Sequence, residues 1–131
     1  MNIELVSIRA PEIHRHTRSV TLTDATLAAR KKTLLSRMQQ QRLDAVIIYA
    51  DREHGANFEY FTSFIPRFEE TCLVVHTYGE SSLLLGNENL KMVKHARISA
   101  NAVHVPFFSL PNQPMAGERP FANYFRDTVT G

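Results

Sequence analysis

Residues 51–70 read Asp-Arg-Glu-His-Gly-Ala-Asn-Phe-Glu-Tyr-Phe-Thr-Ser-Phe-Ile-Pro-Arg-Phe-Glu-Glu, a stretch dense in charged and aromatic side chains. Arg67 is its best single candidate for chemistry. Arginine carries a planar fork of donors that grips a carboxylate through two parallel hydrogen bonds, which lysine cannot reproduce. The plain alternative is an ordinary helix. Tyr60, Phe61 and Phe64 would then pack on a sheet, and Arg52, Glu53, Arg67, Glu69 and Glu70 would form surface pairs worth about 0–1 kcal/mol each. Packing is the expected role of the aromatics.

Other chemistries are excluded by what is missing. The glycines stand at 55, 79, 86, 117 and 131, so no glycine-rich phosphate loop exists. There is no His-Glu-x-x-His pattern and no paired-cysteine motif for zinc. No nucleophile elbow marks a serine. His14-Arg15-His16 could set two imidazoles on one strand face, but two ligands are too few for a metal site. His76, His95 and His104 read as surface or hydrogen-bonded core residues. Arg30, Lys31, Lys32, Arg37 and Arg42 make one segment basic, yet no aromatic partner accompanies them, and solvated helix faces commonly look like this. A net charge of +2 gives no reason to expect nucleic acid or an anionic membrane. A two-metal nuclease would need clustered carboxylates on its strands, where this chain offers Asp44 at one end and few other acids.

The elements that would position residues 51–70 follow from periodicity. Leu27, Leu34, Leu35 and Met38 recur on one helical face, predicting a helix over 24–42. Thr21 to Asp24 has the spacing of a capping box. Residues 44–50 form a continuous β-prone run, as in a strand buried on both faces, with Ile47 in the core. Residues 71–78 and 82–86 predict a hairpin turning at Gly79-Glu80. Asn87 is a fair N-cap for a helix to about residue 95, with Leu90, Met92 and Val93 available to the core. A fourth strand is expected over 102–108, then a loop at 109–120. Phe121, Tyr124, Phe125 and Val129 suggest a last helix begun by Pro120. Residues 3–8 are expected as a short edge strand. This order predicts one α/β domain, a mixed sheet flanked by helices, over 24–131, preceded by an N-terminal arm at 1–23. Cys72 is the lone cysteine and reads as a small core residue, favouring a reducing compartment. The expected location is cytoplasmic: the start lacks a signal-peptide pattern and no stretch is long enough to span a bilayer.

Asn57-Phe58-Glu59-Tyr60-Phe61-Thr62-Ser63-Phe64 resembles the Asn-x-x-Tyr-(Leu/Phe)-Thr-Gly-Phe segment of the amino-terminal domain of creatinase, prolidase and aminopeptidase P, the M24-type metallopeptidases. The order around it agrees: a helix with scattered basic residues, the strand at 42–48, the motif, then a hairpin. The resemblance covers about residues 24–131. Ser63 departs from the family's usual glycine; serine disfavours positive φ, so the tight turn is expected to be built differently. The resemblance implies a ribonuclease-H-like fold and a non-catalytic domain of an Xaa-Pro aminopeptidase or dipeptidase. Metal-dependent hydrolysis would belong to a C-terminal catalytic domain with two divalent ions, manganese, cobalt or zinc, and no cofactor would sit in this chain. This domain would shape substrate access and support a homodimer, meeting peptide substrate, with no nucleic acid or membrane partner. The substrate-access candidates are Arg52, His54, Asn57, Tyr60, Arg67 and Glu69. The alternative is a binding module from a catalytically inactive, chaperone-like relative.

Overall fold

The computed structural model describes residues 3–11, 21–110 and 119–129. Helix α1 (Asp24–Gln41) buries Leu27 and Met38, with Leu34 and Leu35 half-covered, on the face that the periodicity predicts. Its N-cap is Thr23, not Thr21: the Thr23 side chain accepts from the Thr26 amide, the third helical N–H, leaving Asp24 free to pair with Arg97. Strand β1 (Ala45–Ala50), helix α2 (Ala56–Thr62), strand β2 (Thr71–His76) and strand β3 (Ser81–Leu85) follow. Helix α3 (Asn87–Leu90), strand β4 (Asn101–His104) and helix α4 (Phe121–Val129) complete the order.

The four strands lie in the order β1-β2-β3-β4. β1, β2 and β3 run as an antiparallel meander, and β4 pairs parallel to β3, so the sheet is mixed, as expected. Every residue of β2 and β3 is buried. Their side chains alternate between two cores. Leu73, Val75, Leu83 and Leu85 face Met38, Phe58 and Phe64 under α1 and α2. Cys72, Val74 and Leu84 face Val105, Phe108 and Tyr124 on the opposite side. Such two-sided burial is what continuous apolar strands require.

Several expectations change. β1 is an edge strand rather than a doubly buried one: Val46 and Ile48 pack on the first core, but Ile47 is 47% exposed. A continuous apolar run cannot tell edge from centre, because strand order is a tertiary property. Residues 3–8 form no strand, and Ile3, Leu5 and Ile8 are all exposed. The helix expected over 87–95 breaks into α3 and a 3-10 turn at Val93–His95, and Leu90 lies outward while Asn89 is buried. Its N-cap is Gly86, not Asn87. β4 stops at His104 because Pro106, without an N–H, opens a 3-10 turn through Phe108. The histidine pair at 14 and 16 and most of the loop at 109–120 lie outside the described residues. Among the described residues no helix is long and apolar enough to cross a membrane.

Candidate functional site

The sheet gathers the candidates at one end. β1, β3 and β4 are mutually parallel, and Ala50, Leu85 and His104 end them side by side, with Thr71 starting β2 between the first two. Segment 51–55 therefore leaves the carboxyl end of β1, and segment 63–70 leads into the start of β2 at the same end of the sheet, where open α/β sheets build sites. Three small constructions stand there.

The first is an Asx turn at Asp51. Its Oδ1 accepts from the backbone N–H of Glu53 at 2.8 Å and of His54 at 2.6 Å, and the His54 Nδ1 lies 3.0 Å from both carboxylate oxygens. The imidazole hydrogen bond, then the His54 amide, pull Asp51 down to about 2. The same bond raises His54 above its usual range. Tyr49 Oη reaches Asp51 Oδ2 at 3.4 Å. Burial first, then the Glu70 and Asp51 carboxylates, push this phenol up to about 12, so it stays protonated and can donate.

The second is a buried anchor. Glu69 is 4% exposed, and its Oε2 accepts from the α3 amides of Glu88 at 2.7 Å and Asn89 at 3.0 Å. These are orphan N–H groups of the helix start, which explains why Asn87 need not cap α3. Asn89 closes the frame: its Nδ2 donates to the Glu69 carbonyl, and its Oδ1 accepts from the Arg67 amide at 2.9 Å. Gly86 makes room, since a Cβ there would lie 2.6 Å from Glu69 Oε2.

The third is an open hollow of about 320 Å³ lined by Arg52, Ile65, Pro66, Arg67 and Phe68. The Arg52 and Arg67 guanidinium carbons lie 5.8 and 5.5 Å from the Phe68 ring centroid. Among the described residues neither guanidinium has a carboxylate partner, so the surface pair of Arg67 with Glu69 or Glu70 is not formed. Phe68 holds φ at 64° and is 57% exposed. A bulky side chain in the left-handed region is strained.

The six sequence candidates therefore divide. Arg52 and Arg67 converge on one ring, and His54 joins Asp51 beside them. Glu69 turns inward as the anchor. Asn57 and Tyr60 lie exposed on α2. Tyr60 does not pack on the sheet; Arg30 covers its ring at 3.9 Å and donates to its carbonyl at 2.7 Å. Phe61 and Phe64 do pack on the core as expected, and Phe58 joins them in the place expected of Tyr60, because residues 58, 61 and 62 share the inward face of α2. Sequence reasoning missed Phe68, whose conformation no local residue type announces. Asp51 was findable: an Asp just past a strand, two and three residues before free amides, is a turn signal.

Ser63 adopts the turn the resemblance requires, at φ 63° and ψ 18°, donating its backbone N–H to Glu59. The expectation of a differently built turn is thus corrected. The strain of a left-handed serine is tolerated because the turn must deliver Phe64 to the core.

The fold is shared with a dipeptidase. The chain aligns with the dipeptidase PepE from Mycobacterium ulcerans at a TM-score of 0.50 and 16% identity, covering 63% of this chain and 23% of that one. A proline dipeptidase from Streptococcus pneumoniae TIGR4 aligns at a TM-score of 0.46 and 14% identity, over 57% of this chain and 55% of that one. The chain thus spans well under two-thirds of either relative. No family model and no curated protein matches it. The likeness to PepE is one of fold, and as fold it agrees with the resemblance carried by residues 57–64.

Among the described residues no three His, Cys, Asp or Glu side chains converge as a metal would need.

Proposed function

We propose that this chain is the amino-terminal, non-catalytic domain of a metal-dependent peptidase acting on Xaa-Pro peptides. Hydrolysis belongs to a C-terminal catalytic domain carrying two divalent ions, and this domain shapes substrate access and contributes to a homodimer in the cytoplasm. One observation carries the reading: the segment 57–64 runs along α2 and its C-terminal turn, between β1 and β2, in a fold shared with a dipeptidase. The arginine-bearing loops at the carboxyl end of β1 support a role at a substrate entrance. The purified chain, incubated with Xaa-Pro dipeptides and manganese, cobalt or zinc, should release no product. The same domain joined to its catalytic partner should release product, and chelator should stop it. Chelator-sensitive cleavage by the chain alone, or no cleavage by the joined protein, overturns the proposal.

A further inference from the structure

We propose that Lys31, Glu80 and Ser81 form a binding site for a free α-amino acid, held by both of its charges, in a hollow of about 360 Å³ at the amino ends of β3 and β4. The hollow lies at the end of the sheet opposite segment 51–70, and the site does not rest on the peptidase reading.

Three observations carry it. First, Lys31 stands on the core-facing stripe of α1, four residues past Leu27 and four before Leu35, and is half-covered there. Among the described residues no carboxylate pairs with it. Burial holds its pKa below the ordinary lysine value, so the charge is partly desolvated and nothing offsets the cost. Second, Ser81 is 3% exposed and its Oγ has no hydrogen-bond partner. It opens β3 on the face that Leu83 and Leu85 continue, the face covered by α1, so Ser81 and Lys31 wall the same hollow. A buried hydroxyl without a partner destabilises the fold, and a ligand oxygen placed there would accept its proton. Third, Glu80 lines the hollow as an exposed carboxylate, again with no ion pair among the described residues. Its position is set by the preceding Gly79, whose φ of 102° suits glycine and whose N–H donates to the His76 carbonyl at 2.9 Å. A simple anion would be drawn to Lys31 and repelled by Glu80, and a simple cation would meet the reverse. A zwitterion uses both. Its carboxylate takes the Lys31 ammonium and the Ser81 hydroxyl, and its ammonium takes the Glu80 carboxylate. Ser99 and Asn101 add polar wall, while Gly79 and Ala100 are small enough to leave room for the side chain of the amino acid.

The full chain, labelled with ¹⁵N, is titrated with L-alanine, with alaninamide, which keeps only the positive charge, and with N-acetylalanine, which keeps only the negative one. Alanine should shift the amides of residues 79–81 and 99–101 saturably, and each single-charge analogue should bind at least about tenfold more weakly, the scale of one charge-assisted hydrogen bond. Glu80→Gln, on the surface, should weaken alanine by about the same factor. Ser81→Ala and Lys31→Met are the deciding variants. Each should raise Tm, since one removes an unpartnered buried hydroxyl and the other a desolvated cation, and each should still weaken alanine. A residue kept only for the fold would not separate stability from binding in this way. Absence of saturable shifts, shifts confined to residues 51–70, or equal binding of either analogue overturns the site. So does unchanged affinity in Ser81→Ala or Lys31→Met, or a lowered Tm in Ser81→Ala, which would give the hydroxyl a structural partner.

Discussion

Ser63 holds φ at 63° with its Oγ buried and unpartnered, so its side chain contributes strain and no hydrogen bond. Ser63→Gly should therefore stabilise the fold by up to about 1 kcal/mol, the relief of a left-handed residue less the added freedom of an unfolded glycine. Denaturant midpoints check this; a destabilised variant would mean the hydroxyl has a partner. The Asp51–His54 pair gives a pH test. His54 is raised by Asp51, so its contribution is present below about pH 6.5 and is lost as pH rises through the folded value. Asp51 is lowered to about 2, so its contribution is present above about pH 3.9 and is lost as pH falls through that folded value. The turn is best held between about pH 4 and 6.5. Asp51→Asn should bring the His54 titration, followed by NMR of its ring protons, down toward about 6.5. A midpoint unmoved by that substitution would dissociate the pair.

At the level of elements, α3 has only four residues and no side-chain N-cap of its own. Glu69, from the loop before β2, supplies the missing acceptor, tying 67–70 to the β3–β4 crossover. Gly86 is required for its size, since its φ of −74° suits any residue. Gly86→Ala would press on both Glu69 Oε2 and the Phe108 carbonyl, the latter 2.7 Å from the new carbon. The expected loss is about 2–3 kcal/mol, from overpacking plus buried amides left without an acceptor. Chemical denaturation measures it, and a loss below about 0.5 kcal/mol would show that Glu69 is not held as described. The same variant should broaden the Arg67 and Phe68 amide signals, because their frame is the element disturbed.

Across the whole molecule the sheet separates two cores, and strand position decides what a substitution does. Ile47→Asp, on the exposed face of the edge strand, should cost less than about 1 kcal/mol. Val74→Asp, on the neighbouring strand and directly paired with Ile47, should cost several kcal/mol because the carboxylate enters the second core without a partner. Cys72 gives a reporter for this comparison. Burial, then the Glu70 carboxylate, push its thiol up to about 12, so a thiol reagent at pH 8 should label it only when the sheet opens. Labelling should be slow in the wild-type chain and in Ile47→Asp, and fast in Val74→Asp. Equal rates in the two variants would show that Ile47 is core after all.

The α1 face, the hairpin, the α4 stripe and the mixed α/β class were legible in the sequence, because 3.6- and 2-residue periodicities and turn residues are local properties. The segment 51–70 was legible as a place of interest, and Arg52 and Arg67 within it. What the chain alone could not specify was which strand stands at the edge, since Asp44–Ala50 and Thr71–Tyr78 are equally apolar runs and only pairing distinguishes them. Nor could it separate Glu69 from Arg67, two residues apart and both charged. One is buried against α3 and the other faces solvent because α3, arriving after the hairpin, offers its amides to one and leaves the other exposed. Phe68 acquires its left-handed backbone from neighbours pinned on both sides, a constraint that closes only once residues 67, 69, 86 and 89 meet in space.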